Sequence, residues 1–151
     1  MYHSSAILLP DGRVFTGGNG RRGGLIPRQE IEIYYPPYLS DLEARPRPII
    51  EGVPDTLTYN EELRITASSD SPVSAGSITR VTMVALGSTT HQNDMSQRFV
   101  ELGCREVDGD DVVVRTPHDA NYAPPGWYMV FAISDQGTPS LASYVLIREE
   151  A

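Results

Sequence analysis

Short apolar runs, mostly β-branched or aromatic, alternate along the chain with clusters of Gly, Pro, Asp and Asn, and no stretch carries the apolar stripe of an amphipathic helix. Residues 5–9 and 13–16 flank Pro10-Asp11-Gly12. Proline presets that turn and glycine accepts a positive φ, so the two runs predict a hairpin. G-G-N-G-R-R-G-G at 17–24 is too rich in glycine for a regular element, and E-I-E-I-Y-Y at 30–35 resumes strand alternation with Ile31 and Ile33 on one face. After Y-P-P-Y-L comes S-D-L-E-A-R-P-R-P at 40–48, polar and proline-containing, which reads as a linker. Strands are then expected near 48–52, 56–59, 62–67, 78–85, 97–103, 111–115, 126–134 and 141–148. So many short strands over about 100 residues fit a two-sheet sandwich.

The expected fold class is therefore all-β, with residues 1–39 as one unit, 40–48 as a linker and 49–151 as the sandwich. Three strands within 1–39 are too few to bury a core alone, so that unit is expected to need a partner that this chain does not supply. Its apolar strands are expected to promote self-association if left uncovered.

Composition narrows the function. The net charge of −8 offers no basic surface for phosphate backbones or anionic lipid, which argues against nucleic-acid and membrane partners. All twelve basic residues are Arg. A single cysteine, Cys104, excludes an internal disulfide framework and a cysteine-based zinc site; in F-V-E-L-G-C-R-E-V, read as strand followed by turn, it is expected to be a buried, inert thiol. Neither a signal peptide nor a bilayer-length apolar run is present, so an export signal of a secreted parent is expected upstream.

Candidate chemistry is sparse. Tyr2 and His3 alone read as a solvated terminus, and His91 alone as a loop histidine. His118 is assigned to a surface loop, Gln97 and Arg98 to holding the loop after His91, and Tyr34, Tyr35 and Tyr38 to packing. The stretch 17–24 lacks the Gly-Lys-Ser/Thr ending of a phosphate loop, and Asp108, Asp110 and Asp111 mark a hairpin tip too short to wrap calcium.

Four segments, in order, resemble one family. Y-H-S-S-A-I-L-L-P-D-G-R-V-F-T-G-G resembles the last kelch-type propeller segment of the galactose oxidase and glyoxal oxidase family of copper-radical oxidases. E-I-Y-Y-P-P-Y-L followed by R-P resembles the exit from that propeller into an immunoglobulin-like, early-set domain. T-T-H-Q-N-D-M-S-Q-R-F-V-E-L is similar to that domain's ligand-bearing loop, and A-P-P-G-W-Y-M-V-F-A-I-S-D-Q-G-T-P-S-L-A-S to its last hairpin. The resemblance spans essentially the whole chain. It implies that 1–39 is an incomplete kelch-type β-propeller segment and 49–151 an immunoglobulin-like early-set β-sandwich.

By the same resemblance, Tyr2 is the axial phenolic ligand of a mononuclear copper and the base that takes the substrate's hydroxyl proton, with His3 and His91 as equatorial ligands. The radical-bearing tyrosine, its cross-linked cysteine and the stacking tryptophan belong to the propeller upstream; Trp127 and Cys104 are not their counterparts. Asp94 and Ser96 depart from the Asn and Asp of galactose oxidase-like members, which makes the galactose-specific fungal enzyme a poor guide to substrate. Two imidazoles and a phenolate suit Cu(II). Adjacent Tyr2 and His3 would point to opposite faces of a strand, so both reach one ion only where the backbone bends. The implied parent oxidises a primary alcohol or aldehyde with O2, giving H2O2. This chain alone is expected to be inactive without its propeller domain or a separate propeller chain. The competing reading is a non-catalytic sandwich module for carbohydrate or protein contact.

Overall fold

The computed structural model describes residues 4–18, 30–91 and 93–148. The Pro10–Gly12 turn joins β1 (Ser5–Leu8) to β2 (Val14–Gly18), and β2 pairs on its other side with β3 (Glu30–Tyr34), all antiparallel. Register places Phe15 between Ile7 and Ile33, an apolar cross-strand row of the kind that stabilises sheets. A helical turn at Pro37–Leu39 follows, with proline opening it where a missing N–H costs nothing.

The remaining strands are β4 (Ile50–Glu51), β5 (Thr56–Leu57), β6 (Glu62–Ala67), β7 (Ile78–Ala85), β8 (Thr89–Thr90), β9 (Asn93–Asp94), β10 (Phe99–Glu101), β11 (Gly103–Asp108), β12 (Asp111–Arg115), β13 (Gly126–Ser134) and β14 (Ser143–Ile147). They form a five-stranded sheet, β10-β7-β13-β14-β5, facing a four-stranded sheet, β11-β12-β6-β4, with β8-β9 as a separate pair. This is an all-β sandwich. Alternation explains its core: Leu63 and Ile65 of β6 and Val112 and Val114 of β12 meet Val81 and Met83 of β7, Tyr128 and Val130 of β13 and Val145 and Ile147 of β14. Outward-facing Arg64 instead pairs with Glu62 at 2.8 Å and Asp108 at 2.9 Å in solvent.

Sequence and structure part company in the run expected as a single strand over 97–103. β10 belongs to the five-stranded sheet and β11 to the four-stranded one, and the chain crosses between them at Leu102. Leu102 is buried in the core and its N–H donates to the Val81 carbonyl at 2.9 Å. Such a crossing closes one end of a sandwich without a loop. The backbone of Cys104 accordingly continues in β11 rather than entering a turn. The expected acidic turn is a hairpin tip: β11 and β12 pair antiparallel, with Gly109 at φ 62 in the connection.

The outer face of the five-stranded sheet carries a second apolar layer. Met129 and Phe131 point away from the core, yet are 2% and 4% exposed. Leu8, Gly12 and Tyr38 lie beside Val84, Phe131 and Ile133 there, so the small sheet docks on this face. Hydrogen bonds lock the junction. Tyr38 Oη donates to the Gly12 carbonyl at 2.7 Å, and Ala142 N–H to the Pro10 carbonyl at 2.8 Å. The Arg47 guanidinium bridges the carbonyls of Asp11 and Pro139, the latter at 3.0 Å. Burial pulls the basicity of Arg47 down and pushes the Tyr38 phenol up. Gly12 has φ 81, and a Cβ there would stand 3.3 Å from Pro139 Cγ, so this turn needs glycine both for its backbone and for the close approach.

Candidate functional site

β7 and β10 are antiparallel neighbours, and the Ala85 N–H still donates to the Arg98 carbonyl at 3.0 Å where their ladder ends. Beyond that point the chain narrows into the β8–β9 hairpin, with Thr89 opposite Asp94 and Thr90 opposite Asn93. His91 opens the connection. A loop was expected here; the structure gives a tight hairpin instead. The sequence signal was weak because Thr-Thr-His-Gln-Asn-Asp has no apolar alternation and no glycine at the turn.

His91 is exposed and has φ 51, in the left-handed region. Two-residue hairpins favour positive φ at their first central position, which Gly, Asn or Asp meet most readily. Histidine there carries backbone strain of about 1–2 kcal/mol, and strained non-glycine residues cluster at functional sites. The Thr90 hydroxyl lies 2.8 Å from His91 Nδ1. When that hydroxyl accepts the Nδ1 proton, the ring's basic lone pair resides on Nε2, the arrangement that supporting partners impose on metal-binding histidines.

The hairpin lies against the small sheet. β1 packs on both β8 and β9, and Gly87, at the hairpin's foot, approaches Ile7: a Cβ on it would stand 3.7 Å from Ile7 Cγ2. β1 and the hairpin that carries His91 are therefore neighbours. Tyr2 and His3 lie outside the described residues. Among the described residues no group of three His, Cys, Asp or Glu side chains is placed to hold a metal ion. His118 is exposed, with its Nδ1 3.3 Å from Asp119. Asp119, held below the usual carboxylate range chiefly by the Asn121 N–H, caps its own turn.

Sequence reasoning missed a cleft beside the hairpin's foot. It encloses about 390 Å³ between Leu86, Met95 and Arg98 on one side and Pro125 and Trp127 on the other, a volume within the range of small-molecule clefts. Trp127 stands 49% exposed, while its neighbour Tyr128 is buried and donates to the Pro124 carbonyl at 2.7 Å. Burial raises the Tyr128 phenol above its ordinary value and Arg98 pulls it partly back. Pro-Pro-Gly-Trp was the available signal, but a tryptophan at a strand's start gives no hint of which face it will occupy.

Comparison with known proteins fits this architecture. Residues 47–147 match the family model of the galactose oxidase-like early set domain. A galactose oxidase of Gibberella zeae is 33% identical over 156 residues, covering 99% of this chain and 22% of that protein. An aldehyde oxidase of Arabidopsis thaliana is 32% identical over 160 residues, covering 97% of this chain and 26% of that protein. The chain thus spans about a quarter of the length of these curated relatives. Among solved structures, a fungal alcohol oxidase of the AA5 family in complex with copper superposes with a TM-score of 0.79 at 27% identity, covering 95% of this chain and 30% of that one. Sandwich, docked small sheet and family match agree: the chain belongs to the galactose oxidase-like family and carries its early set domain.

Proposed function

We propose that this chain is the C-terminal part of a secreted copper-radical oxidase, in which Tyr2, His3 and His91 hold a mononuclear copper. In this reading residues 1–39 form the last segment of a kelch-type propeller, 40–48 the linker and 49–151 the early-set sandwich. The parent oxidises a primary alcohol or aldehyde with O2 to give H2O2. A propeller domain, or a separate propeller chain, supplies the radical tyrosine and its cysteine partner. The observation that carries the reading is the contact of β1 with the β8–β9 hairpin, because it brings the strand that follows Tyr2 and His3 against the element that presents His91. Support also comes from the donor chemistry: an imidazole at a strained hairpin tip, its Nδ1 occupied by Thr90, joins a phenol and a second imidazole in a set that suits Cu(II).

Copper, when bound, supplies a one-electron acceptor and a positive charge that acidifies its phenol ligand. The protein's own residues do the rest. Tyr2, as phenolate, receives the hydroxyl proton of the substrate at Oη, a transfer that its lowered basicity makes feasible near neutral pH. His91 is fixed in orientation by Thr90 and by the hairpin beneath it. The docked small sheet keeps β1 from drifting away from the hairpin.

The test is a Cu(II) titration of the chain followed by EPR, beside His91→Ala. The expected result is a one-site signal with nitrogen hyperfine structure, and a loss of affinity in the variant exceeding the ~10–100-fold that removal of a mere supporting residue costs. The chain alone is expected to yield no peroxide. A signal identical in both proteins, or none in either, overturns the ligand reading and favours a non-catalytic sandwich module for carbohydrate or protein contact.

A further inference from the structure

One carboxylate holds the foot of the hairpin that carries His91. Asp94 Oδ1 accepts from the Ser88 N–H at 2.8 Å and from the Ser96 N–H at 3.0 Å, tying the residue before β8 to the chain after β9. The Ser88 carbonyl in turn accepts from the Met95 N–H at 2.9 Å, so the foot is a small closed network. A ladder of two residue pairs has little power to hold its own register, since isolated two-stranded hairpins are marginal in water. Charged acceptors make the stronger hydrogen bonds, and here one serves both strands.

The second carboxylate oxygen lies beside Gly87, the residue that approaches β1. A Cβ on Gly87 would lie 3.3 Å from Asp94 Oδ2 as well as 3.7 Å from Ile7 Cγ2. Gly87 is therefore the thin point at which foot and small sheet meet, with the Asp94 carboxylate behind it. Were the carboxylate withdrawn, both the closure of the foot and the surface on which β1 rests would change together.

The geometry points to Asp94 as the positioning residue of the candidate copper site: it sets the angle of the β8–β9 hairpin against β1, and so the place of His91 relative to that strand. Its bearing on copper rests on the function proposed above; its bearing on the hairpin does not. Because Oδ1 makes both hydrogen bonds, Asp94→Asn keeps an acceptor in the same place, whereas Asp94→Ala removes it.

The experiment compares the wild-type chain with Asp94→Asn and Asp94→Ala in two readouts. Amide exchange at Ser88 and Ser96, with the NMR contact between Ile7 methyls and Gly87, reports the foot without any metal. The Cu(II) dissociation constant reports the site. Asp94→Ala is expected to speed exchange at both amides by about tenfold or more, to lose the Ile7–Gly87 contact and to weaken Cu(II) binding ~10–100-fold, while core amides of β13 stay protected. Asp94→Asn is expected to restore all three. Unchanged exchange and contact in Asp94→Ala overturn the inference. So does a loosened foot with undiminished copper affinity. A wild-type chain that binds no Cu(II) defeats the copper reading instead, and the positioning role is then decided by the contact data alone.

Discussion

The sandwich and the small sheet are built from the same kind of strand, yet they are stable for different reasons. Inside the sandwich, Leu63, Ile65, Val81, Met83, Val112, Val130, Val145 and Ile147 are all at most 2% exposed, and they come from both sheets. Fully burying such a side chain contributes about 1.5–3 kcal/mol, so this layer can sustain itself. The small sheet has no such interior. Ile31 is 70% exposed and Tyr34 55% exposed, and among the described residues β3 has one edge unpaired. Its position depends on what lies beneath it: the apolar outer face around Phe131 and a handful of hydrogen bonds at the Pro10–Gly12 turn. One region is held by burial and the other by docking. The candidate site needs both, since His91 grows from the first and β1, which rests against its hairpin, belongs to the second.

Substitution in the sandwich core should break the contrast outright. Ile65 is fully buried, and Ile65→Ala is expected to cost about 3 kcal/mol by urea denaturation, taking both regions down together because the small sheet loses its platform. A two-step transition, with the small sheet surviving the sandwich, would refute the dependence of one on the other.

A change at the junction should separate the two regions. Gly12→Ala forces a side chain into the left-handed region and against Pro139, at an expected cost of about 1–2 kcal/mol borne locally. Hydrogen exchange should quicken in β1 and β2 while β7 and β13 stay protected. Uniform acceleration across both regions would mean that the junction is not a separate unit.

The smallest effect is expected from acid. The Arg13 side chain donates to Asp11 at 2.7 Å and holds its carboxyl below the ordinary value of 3.8. A group whose acidity is strengthened by folding stabilises the fold above its unfolded pKa and loses that contribution as the pH falls through the folded value. The Pro10–Gly12 turn should therefore loosen below about pH 4 while the sandwich core does not, as read by amide exchange in β1 and β2. Asp11→Asn should flatten that pH dependence. If the variant loosens with acid as steeply as the wild type, the Arg13 contact does not govern the turn.

Much of the fold was legible locally. Alternation in E-L-R-I-T-A, D-V-V-V-R and W-Y-M-V-F-A-I-S marks the strands with two-residue period, and P-D-G marks the first hairpin, because strand faces and turn chemistry are properties of a few neighbouring residues. Less legible was the switch of sheets at Leu102, since V-E-L-G-C-R-E-V reads as one continuous apolar-polar run whichever sheet each half joins. Also hidden was that Phe131, on the outward phase of β13, is covered by the small sheet rather than by water.

The candidate site divides in the same way. His91 stood out in the sequence as a metal-competent residue in a polar loop, and the order of segments around it pointed to a family. Its left-handed backbone, its contact with Thr90 and the closure of its hairpin by Asp94 were not readable from T-T-H-Q-N-D-M-S. By itself the sequence determined the strands, the first turn, the absence of a basic surface and the residue types from which a copper site can be made. Only the tertiary structure decided that β1 rests against the β8–β9 hairpin and that one carboxylate closes the foot of that hairpin. The reason is physical: periodicity and turn propensity act over a few residues, whereas Ile7 and Asp94 are brought together by packing across most of the chain.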